Sequence, residues 1–252
     1  MKKIGIIGGA AWPSTLEYYR LLCEGAVERH EAAGRSGLAP TPPMIIESLV
    51  MAETRALRGR VGDEASWRAY DDVIRDALTR LDNAGCDFAI IANNTMHSRL
   101  NSFRRGLNIE ILSILDVMAD AVVESGATRA VVLGTPVTMR SDDYGKVLDE
   151  RQIAIYRGFS EGEIDRMQQV IDAEFHGQTA TETGRRFLLK LCEAHVAEPD
   201  KTPVILACTE LPLAFPEFSG VPEFQSDGFK FVNTTAVHVS ATLKRSLFDR
   251  RS

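Results

Sequence analysis

Cysteine is scarce in this sequence, with four residues in 252, and no two of them form a CxxC pair. That spacing excludes zinc ribbons and thioredoxin-like sites, and the low count excludes a secreted disulfide scaffold. Long apolar runs are missing as well, since no stretch approaches the roughly 18 residues that a membrane helix needs. We therefore expect no membrane partner, and a reducing cytoplasm as the compartment.

An excess of basic charge is also absent, because 29 basic and 35 acidic side chains give a net charge of -6. A nucleic-acid partner is therefore not expected. Nucleotide binding has little support, since neither GxGxxG nor GxxxxGK[ST] occurs, and a GxSxG nucleophile elbow is missing too. What is present is a hydrophobic content of 44%, enough for the core of one large or two small domains.

Short apolar runs rich in Ile and Val alternate with longer amphipathic segments, a pattern typical of parallel strands joined by helices. The predicted fold class is therefore α/β. Strands are predicted near Lys3–Gly8, Met44–Ser48, Asp87–Ala92, Glu110–Ser113, Arg129–Gly134, Ile153–Tyr156 and Pro203–Ala207. Helices are predicted from Ser14 to about Ala33 and over Glu64–Ala84, Leu115–Ser125, Tyr144–Glu150, Glu161–Glu174, Thr181–Ala197 and Thr235–Leu247.

Local sequence signals indicate where some of these elements begin and end. Ser14 and Glu17 have the spacing of a capping box, which predicts the start of the first helix. The opening segment MKKIGIIGGAAWP has the two lysines and short apolar run of a signal peptide, but its glycines and proline favour a buried strand and turn. The Gly- and Pro-rich stretch Gly34–Pro43 is predicted to be a loop.

A weak internal sequence repeat suggests that the chain has two similar halves. The first strand ends in IIGG and a later one in VVLGT, while AIIANNTMH is matched by PVILACTELP. Chance similarity between buried strands explains these fragments equally well.

Small polar residues follow several predicted strands. In open parallel sheets ligands bind beyond the carboxyl ends of the strands, so these residues are candidates for a site. The segments are Gly8–Ser14, Asn93–His97, Gly134–Thr138 and Cys208–Glu210. Their hydroxyl and backbone N–H groups suit a carboxylate. Helix capping explains any one of them better, but the clusters together favour a small-anion site.

Five segments carry a more specific pattern. N-N-T-M-H at 93–97 is similar to C-N-T-x-H, and A-C-T-E at 207–210 is similar to G-C-T-E. LGTPVTM at 133–139 resembles LGT-x-x-TM, NTTAVH at 233–238 resembles D-T-T-x-I-H, and the opening 4–20 resembles G-G-M-S-W-E-S-T-x-x-Y-Y. All five motifs belong to the aspartate/glutamate racemase family and occur here in its order. The chain is thus identified as a member by resemblance.

This resemblance implies two pseudo-symmetric Rossmann-like domains with parallel sheets and an active site between them. The first domain would comprise residues 1–114 plus about 218–252, and the second 115–217. In the family two cysteines on opposite faces of the substrate's α-carbon exchange its proton, and no pyridoxal phosphate or metal is required. The substrate class is a small carboxylic acid, and a homodimer is the implied assembly.

Cys208 corresponds to one of the two catalytic cysteines. A buried core residue is the usual fate of a cysteine, but position and motif favour catalysis here. We expect its polar surroundings to lower the thiol pKa. The resemblance also assigns substrate-binding roles, with helix capping as the alternative for each residue, to Asn94, Thr95, Thr135, Thr138, Thr209 and Ser14.

Asn93 stands where the family has its other catalytic cysteine. An amide offers hydrogen bonds but no titratable proton, so ordinary two-thiol racemisation is excluded. Cys86 precedes the strand that ends at Asn93, about 20 Å away at roughly 3.3 Å per residue. Cys23 and Cys192 fall inside predicted helices.

His97 and His238 are possible second bases, because imidazole titrates near neutral pH. The motifs contain both histidines even where both cysteines are present, which favours a structural or supporting role. Glu210 is likewise expected to support the site.

The anchor for a side-chain carboxylate stays open. Arg55, Arg58 and Arg60 follow the second predicted strand, and Arg157 follows the sixth. Exposed arginines on a solvated surface explain all four as well. The family's late Asp is here Asn233, a further departure that affects the substrate assignment.

Three functions are compatible with the sequence. The first is a racemase-like isomerase of an acidic amino acid that moves the α-proton through Cys208. The second is a single-cysteine decarboxylase or isomerase of a dicarboxylic acid. The third is a catalytically silent protein that binds a small acid.

Overall fold

The computed structural model describes residues 1–60, 62–175 and 182–248, apart from the side chain of Phe248. The chain divides into two compact units. Unit 1 comprises Met1–Ser113 and the segment from Val239 onward, and unit 2 comprises Ile114–His238.

Unit 1 contains a parallel three-stranded sheet in the order β2-β1-β3. Its strands are β1 (Ile4–Gly8), β2 (Met44–Ser48) and β3 (Phe88–Ile91). Its helices are α1 (Trp12–Ala32), α2 (Met51–Ala56), α3 (Arg68–Asn83), α4 (Asn94–His97) and α5 (Leu100–Phe103), with a 3-10 turn at Glu64–Trp67. Each strand therefore runs into a helix or turn on the same edge of the sheet.

The central strand β1 is buried along its whole length. Its alternating side chains face opposite sides of the sheet. Ile4 and Ile6 pack in one cluster with Tyr18 of α1, whereas Ile7 packs in another with Ile74 of α3. The sheet is thus covered by helices on both faces, which accounts for the continuous apolar run in the sequence.

Unit 2 contains a five-stranded sheet in the order β5-β4-β6-β8-β7. Its strands are β4 (Arg129–Gly134), β5 (Ala154–Ile155), β6 (Val204–Ala207), β7 (Glu223–Ser226) and β8 (Phe229–Asn233). Pairing is parallel except between β7 and β8. The helices are α6 (Ile114–Glu124), α7 (Pro136–Arg140), α8 (Asp142–Asp149), α9 (Glu161–Val170) and α10 (Glu182–His195). A further helix, α11 (Thr234–Phe248), begins in unit 2 and belongs to unit 1 from Val239 onward. Shorter turns are π-helical at Ile171–Phe175 and 3-10 at Leu211–Ala214 and Pro216–Phe218.

Strand β4 divides the core of unit 2 into two layers. Val131 and Leu133 pack with side chains of α9 and α10, whereas Ala130 and Val132 pack with those of α6 and α8. This again follows from strand alternation with helices on both faces.

The predicted α/β class with parallel sheets is confirmed, but two local predictions are wrong. Glu110–Ser113 does not form a strand; in this stretch a single bridge joins Ile111 to Ala89. The capping box is also wrong, because Ala11 occupies the cap position of α1 without a side-chain hydrogen bond. Pro13 in the first turn moves the helix start ahead of Ser14.

The β7–β8 hairpin was not predicted. Asp227 and Gly228 form its two-residue turn with φ values of 51° and 83°, the left-handed conformation that a tight hairpin needs. Because β8 pairs with β6, residues up to His238 belong to unit 2. The chain therefore returns to unit 1 at Val239, whereas the sequence placed the return at about residue 218. The predicted start of α10 at Thr181 lies outside the described residues.

The helix α1 presents apolar side chains to its exposed side. Trp12, Leu16, Tyr19 and Val27 are exposed and repeat at helical spacing. Over the described residues, no helix is both long and apolar enough to span a bilayer.

Gly9 allows β1 to turn into α1 beside β2. It has a φ of 79°, and an added Cβ would lie 2.1 Å from the carbonyl oxygen of Leu49. Gly126, after α6, has a φ of 75° but nothing within 4 Å of an added Cβ. A side chain at Gly126 would therefore cause backbone strain alone, whereas a side chain at Gly9 would cause backbone strain and a steric clash.

We predict that Gly126→Ala costs about 1 kcal/mol of folding free energy, the ordinary cost of a left-handed alanine. Gly9→Ala should cost at least about 3 kcal/mol, because the backbone of Leu49 must also move. Urea denaturation of both variants measures the difference. Equal losses would contradict the close approach of Gly9 to β2.

Candidate active site

Cys208 follows the buried strand β6 directly. Its side chain is 6% exposed, and its thiol donates a hydrogen bond of 2.9 Å to Oε2 of Glu210. The hydroxyl of Thr209 donates to the same oxygen at 2.9 Å. One carboxylate oxygen of Glu210 therefore accepts hydrogen bonds from both Cys208 and Thr209.

These surroundings keep the thiol protonated. Burial raises the pKa of Cys208 well above its ordinary value, and the negative charge of Glu210 and its hydrogen bond with the thiol raise it further. Backbone N–H groups of Glu210 and Leu211 oppose this effect. The expected lowering of the thiol pKa is therefore wrong, and at neutral pH Cys208 is a proton donor. The turn that follows at Leu211–Ala214 is 3-10, not an α-helix.

Neighbouring strands place further predicted residues at the same edge of this sheet. Gly134 pairs with Ala207, and Thr135 follows it. The Thr135 hydroxyl oxygen accepts from the N–H of Thr138 at 3.4 Å and lies 3.2 Å from that residue's hydroxyl. Thr135 thus caps α7, and buried Thr138 lies in the first turn of that helix.

On the other side of β6, the residues after β8 reach the same edge. Asn233 caps the first turn of α11 through Oδ1, which accepts from the N–H of Ala236 at 3.2 Å. The hydroxyl of Thr234 donates to the carbonyl of Leu206 at 2.8 Å. This side-chain bond fixes the start of α11 against β6.

Thr235 is a candidate that the sequence analysis missed. It is 2% exposed, and its hydroxyl has no hydrogen-bond partner among the described residues. A buried hydroxyl without a partner is costly, so this oxygen is available to a ligand. The NTTAVH motif contained the signal, since Thr235 is its third residue.

In unit 1, Asn93 ends the β3 segment and caps α4. Its Oδ1 accepts from the N–H of Met96 at 2.9 Å. The ring of His97 approaches the carbonyl oxygen of Asn93 at 2.8 Å through Nδ1, which must carry a hydrogen to donate to a carbonyl. Asn94 and Thr95 are buried in the same turn.

The β1 segment lies next to the β3 segment, because β1 and β3 pair. Ser14 is buried in the first turn of α1. Its neighbour Thr15 accepts from the N–H of Gly9 at 2.9 Å, and a Cβ on Gly8 would lie 2.5 Å from Thr15. The loop after β1 is thus tied tightly to α1.

The other titratable candidates lie in cores or helices. Cys86 is buried in a cluster with α3, and burial raises its pKa. Cys192 is buried in α10, and burial raises its pKa to about 12. Cys23 lies in α1, and His238 is fully buried in α11. These positions agree with the predicted structural setting of the three cysteines.

The four candidate arginines are exposed. Arg55, Arg58 and Arg60 lie beyond β2, where Arg58 contacts the buried hydroxyl of Tyr70. Arg157 follows β5 and forms an ion pair with Asp142 at 3.1 Å. The structure therefore groups Arg157 with the edge strand of unit 2, away from the residues after β6.

A family profile described as Asp/Glu/hydantoin racemase matches residues 7–242. The chain belongs to this family. The Asp/Glu/hydantoin racemase match covers every predicted site residue in both units. It includes the positions of Asn93 and Cys208.

Solved structures of known proteins share the fold of this chain. An aspartate racemase homologue from Pyrococcus horikoshii is 25% identical with a TM-score of 0.77, and the match covers 98% of this chain and 99% of that one. An aspartate racemase from Picrophilus torridus is 19% identical with a TM-score of 0.72, covering 98% and 94%. A double mutant of arylmalonate decarboxylase is 14% identical with a TM-score of 0.52, covering 99% and 94%. The last two likenesses concern the fold alone.

The contact between Cys208 and Glu210 predicts a measurable change in thiol reactivity. We expect Glu210→Gln to lower the pKa of Cys208, because it removes the negative charge that opposes the thiolate. Alkylation by iodoacetamide, followed by peptide mass spectrometry, should then begin at lower pH for Cys208. Glu193→Gln is the matched control, since Glu193 lies beside Cys192. An unchanged Cys208 profile in Glu210→Gln would contradict the contact.

Proposed function

We propose that this chain is a racemase-like isomerase that moves a proton at the α-carbon of a small carboxylic acid, most simply an acidic amino acid. The observation that carries the proposal is the buried Cys208 thiol bound to Glu210 at the carboxyl edge of β6. Membership of the racemase family supports the reaction class.

Cys208 acts as the proton carrier. In its resting state the thiol is protonated, so it can deliver a proton to a carbanion at the α-carbon. The thiolate left behind regains its proton from water. In the opposite direction the thiol must first lose its proton, and Glu210 Oε2, 2.9 Å away, is positioned to accept it. Glu210 is thus a positioning and proton-accepting group in this proposal.

Binding of the carboxylate falls to short polar side chains. In unit 2 these are Thr209, Thr135, Thr138 and the additional Thr235, which all follow adjacent strands of one sheet. The family resemblance assigns the same role to Ser14, Asn94 and Thr95 of unit 1. Hydroxyl and amide hydrogens at helix starts favour an anion, and the unpartnered hydroxyl of Thr235 adds a donor. His97 stabilises the turn at Asn93 through its hydrogen bond to the carbonyl oxygen of that residue.

With Asn93 in place of a cysteine, only Cys208 can exchange a proton at the α-carbon, and only on one face of the substrate. Its amide oxygen is occupied in capping α4, and it has no proton to exchange near neutral pH. Exchange of the α-hydrogen through Cys208 alone returns the proton to the face from which it came. Inversion needs a carrier on the opposite face, so we expect exchange to be faster than inversion.

The decarboxylase alternative has a specific observation in its favour. Loss of carbon dioxide from a malonate breaks a carbon–carbon bond and leaves its electron pair on the α-carbon. No base is then required, and one protonated thiol completes the reaction. The raised pKa of Cys208 suits this acid role. The likeness to arylmalonate decarboxylase supports only the fold.

The first test is solvent deuterium exchange into L- and D-aspartate and glutamate, read by NMR, with carbon dioxide release from substituted malonates measured in parallel. We expect exchange in the wild type and none in Cys208→Ala. Carbon dioxide release without exchange would replace the isomerase by the decarboxylase. Thermal stabilisation by these acids without any turnover would favour the silent binding protein.

A second test restores the missing thiol. Asn93→Cys should raise the rate of inversion by about 100-fold or more, the usual contribution of a positioned acid or base. Asn93→Ser is the matched control, because serine caps a helix and has the shape of cysteine but does not titrate near neutral pH. Equal inversion rates in the two variants would mean that residue 93 does not face the α-carbon.

The homodimer, the cytoplasmic location and the independence from metals and cofactors stay predictions of the family resemblance. The exposed apolar side chains of α1 are compatible with an assembly surface.

A further inference from the structure

Unit 2 contains a cavity beside its edge strand, which we call the β5 pocket. Its volume is about 470 Å³, within the range of small-molecule sites. It is lined by Arg129, Ala130, Val131, residues 154–158, His195, Ala197, Glu198 and Thr202. Because Arg129 and Val131 share one face of β4, which α10 covers, the pocket lies at the end of α10.

The β5 pocket is separate from the residues after β6. Arg129 begins β4 and Gly134 ends it next to Ala207. Five residues of strand span roughly 17 Å at about 3.3 Å each. The pocket therefore lies at the opposite end of β4 from Cys208, and none of the proposed catalytic residues lines it.

Three side chains from different elements form a hydrogen-bonded relay at this pocket. The hydroxyl of Tyr156 lies 2.7 Å from Nδ1 of His195, and Nε2 of His195 lies 2.7 Å from Oε1 of Glu163. The rings of Tyr156 and Phe159 pack against the imidazole at centroid distances of 5.1 and 4.7 Å. Tyr156 and His195 both line the pocket.

Glu163 fixes the direction of these hydrogen bonds. Backbone and side-chain hydrogen bonds from Ser160, and then the bond with His195, lower the pKa of Glu163 to about 2. The carboxylate accepts from the Nε2–H of His195, so a neutral ring accepts the Tyr156 hydroxyl hydrogen at Nδ1. A protonated ring instead donates from Nδ1 to Tyr156, which frees the phenol hydrogen for a ligand.

The charges of the pocket favour an anion. Arg129 forms no ion pair with any described residue. Arg157 pairs with the exposed Asp142, and its guanidinium rests against Gly145, where a Cβ would lie 2.0 Å from Nη2. The lining side chains thus carry two guanidinium groups, those of Arg129 and Arg157, and one carboxylate, that of Glu198. The remaining walls are apolar and aromatic, which suits an organic ligand with one charged group.

We propose that the β5 pocket is a second binding site of this chain, which takes a small organic anion through Arg129, Arg157 and the Tyr156 hydroxyl. The shared chemistry is an oxyanion, either carboxylate or phosphate, attached to an apolar body. The proposal does not depend on the chemistry at Cys208.

The test titrates 15N-labelled full-length protein separately with benzoate, phenyl phosphate and inorganic phosphate, up to about 20 mM. We expect amide shifts at Gly158 and Ala197 for benzoate or phenyl phosphate, at concentrations that leave Thr209 unshifted. The stronger of these two probes identifies the oxyanion. Inorganic phosphate alone should bind more weakly, because it lacks the apolar body. No shift at Gly158 and Ala197 with either organic probe overturns the proposal.

Two variants test the assigned groups. Arg129→Met should weaken binding at least about tenfold, since a hydrogen-bonded charge is lost. Arg166→Met is the matched control, because Arg166 is exposed on α9 and bonds only Gln169 among the described residues. Equal affinities in Arg129→Met and Arg166→Met would refute the assignment.

The Tyr156 hydroxyl has a test of its own. Tyr156→Phe should weaken binding of benzoate at least about tenfold while the fold is retained, because the phenol no longer donates a hydrogen bond to the ligand. Unchanged affinity in Tyr156→Phe would contradict the role assigned to this hydroxyl.

Discussion

The pairing of β6 with β4 on one side and β8 on the other is the constraint on which unit 2 depends. Because all three strands run parallel, their carboxyl ends coincide, and the residues after them become neighbours. Gly134 permits this approach, since a Cβ there would lie 2.8 Å from the carbonyl oxygen of Ala207. The hydrogen bond from the Thr234 hydroxyl to the carbonyl of Leu206 then fixes the start of the next helix. The register of the backbone pairing therefore determines which residues are neighbours in the candidate site of unit 2.

The strands of the core could be predicted well because burial on both faces leaves an unmistakable apolar run. The bounds of β4 agree with the prediction to the residue. Those of β2 agree as well, although no residue of β2 is fully buried. The β7–β8 hairpin was missed although Asp227-Gly228 is a strong turn signal between alternating residues. The predicted strand at Glu110–Ser113 failed because tertiary pairing reduced it to one bridge.

The candidate site also has features that could be predicted from the sequence and features that could not. Motifs located Cys208, Asn93 and their polar neighbours, because these residues are close in sequence to strand ends. The protonation of the thiol could not be predicted, since it depends on which way Glu210 turns and on how fully Cys208 is buried. The relay of Tyr156, Glu163 and His195 gave no sequence signal either. Its members come from three elements that only the fold brings together.

The buried, protonated state of Cys208 has a consequence for the durability of the protein. Peroxides oxidise thiolates far faster than thiols, and oxidation beyond sulfenic acid is irreversible for most proteins. A cysteine that forms its thiolate only during turnover is exposed to this damage for a small fraction of its lifetime. The contact that delays proton release therefore also protects the sulfur from oxidants.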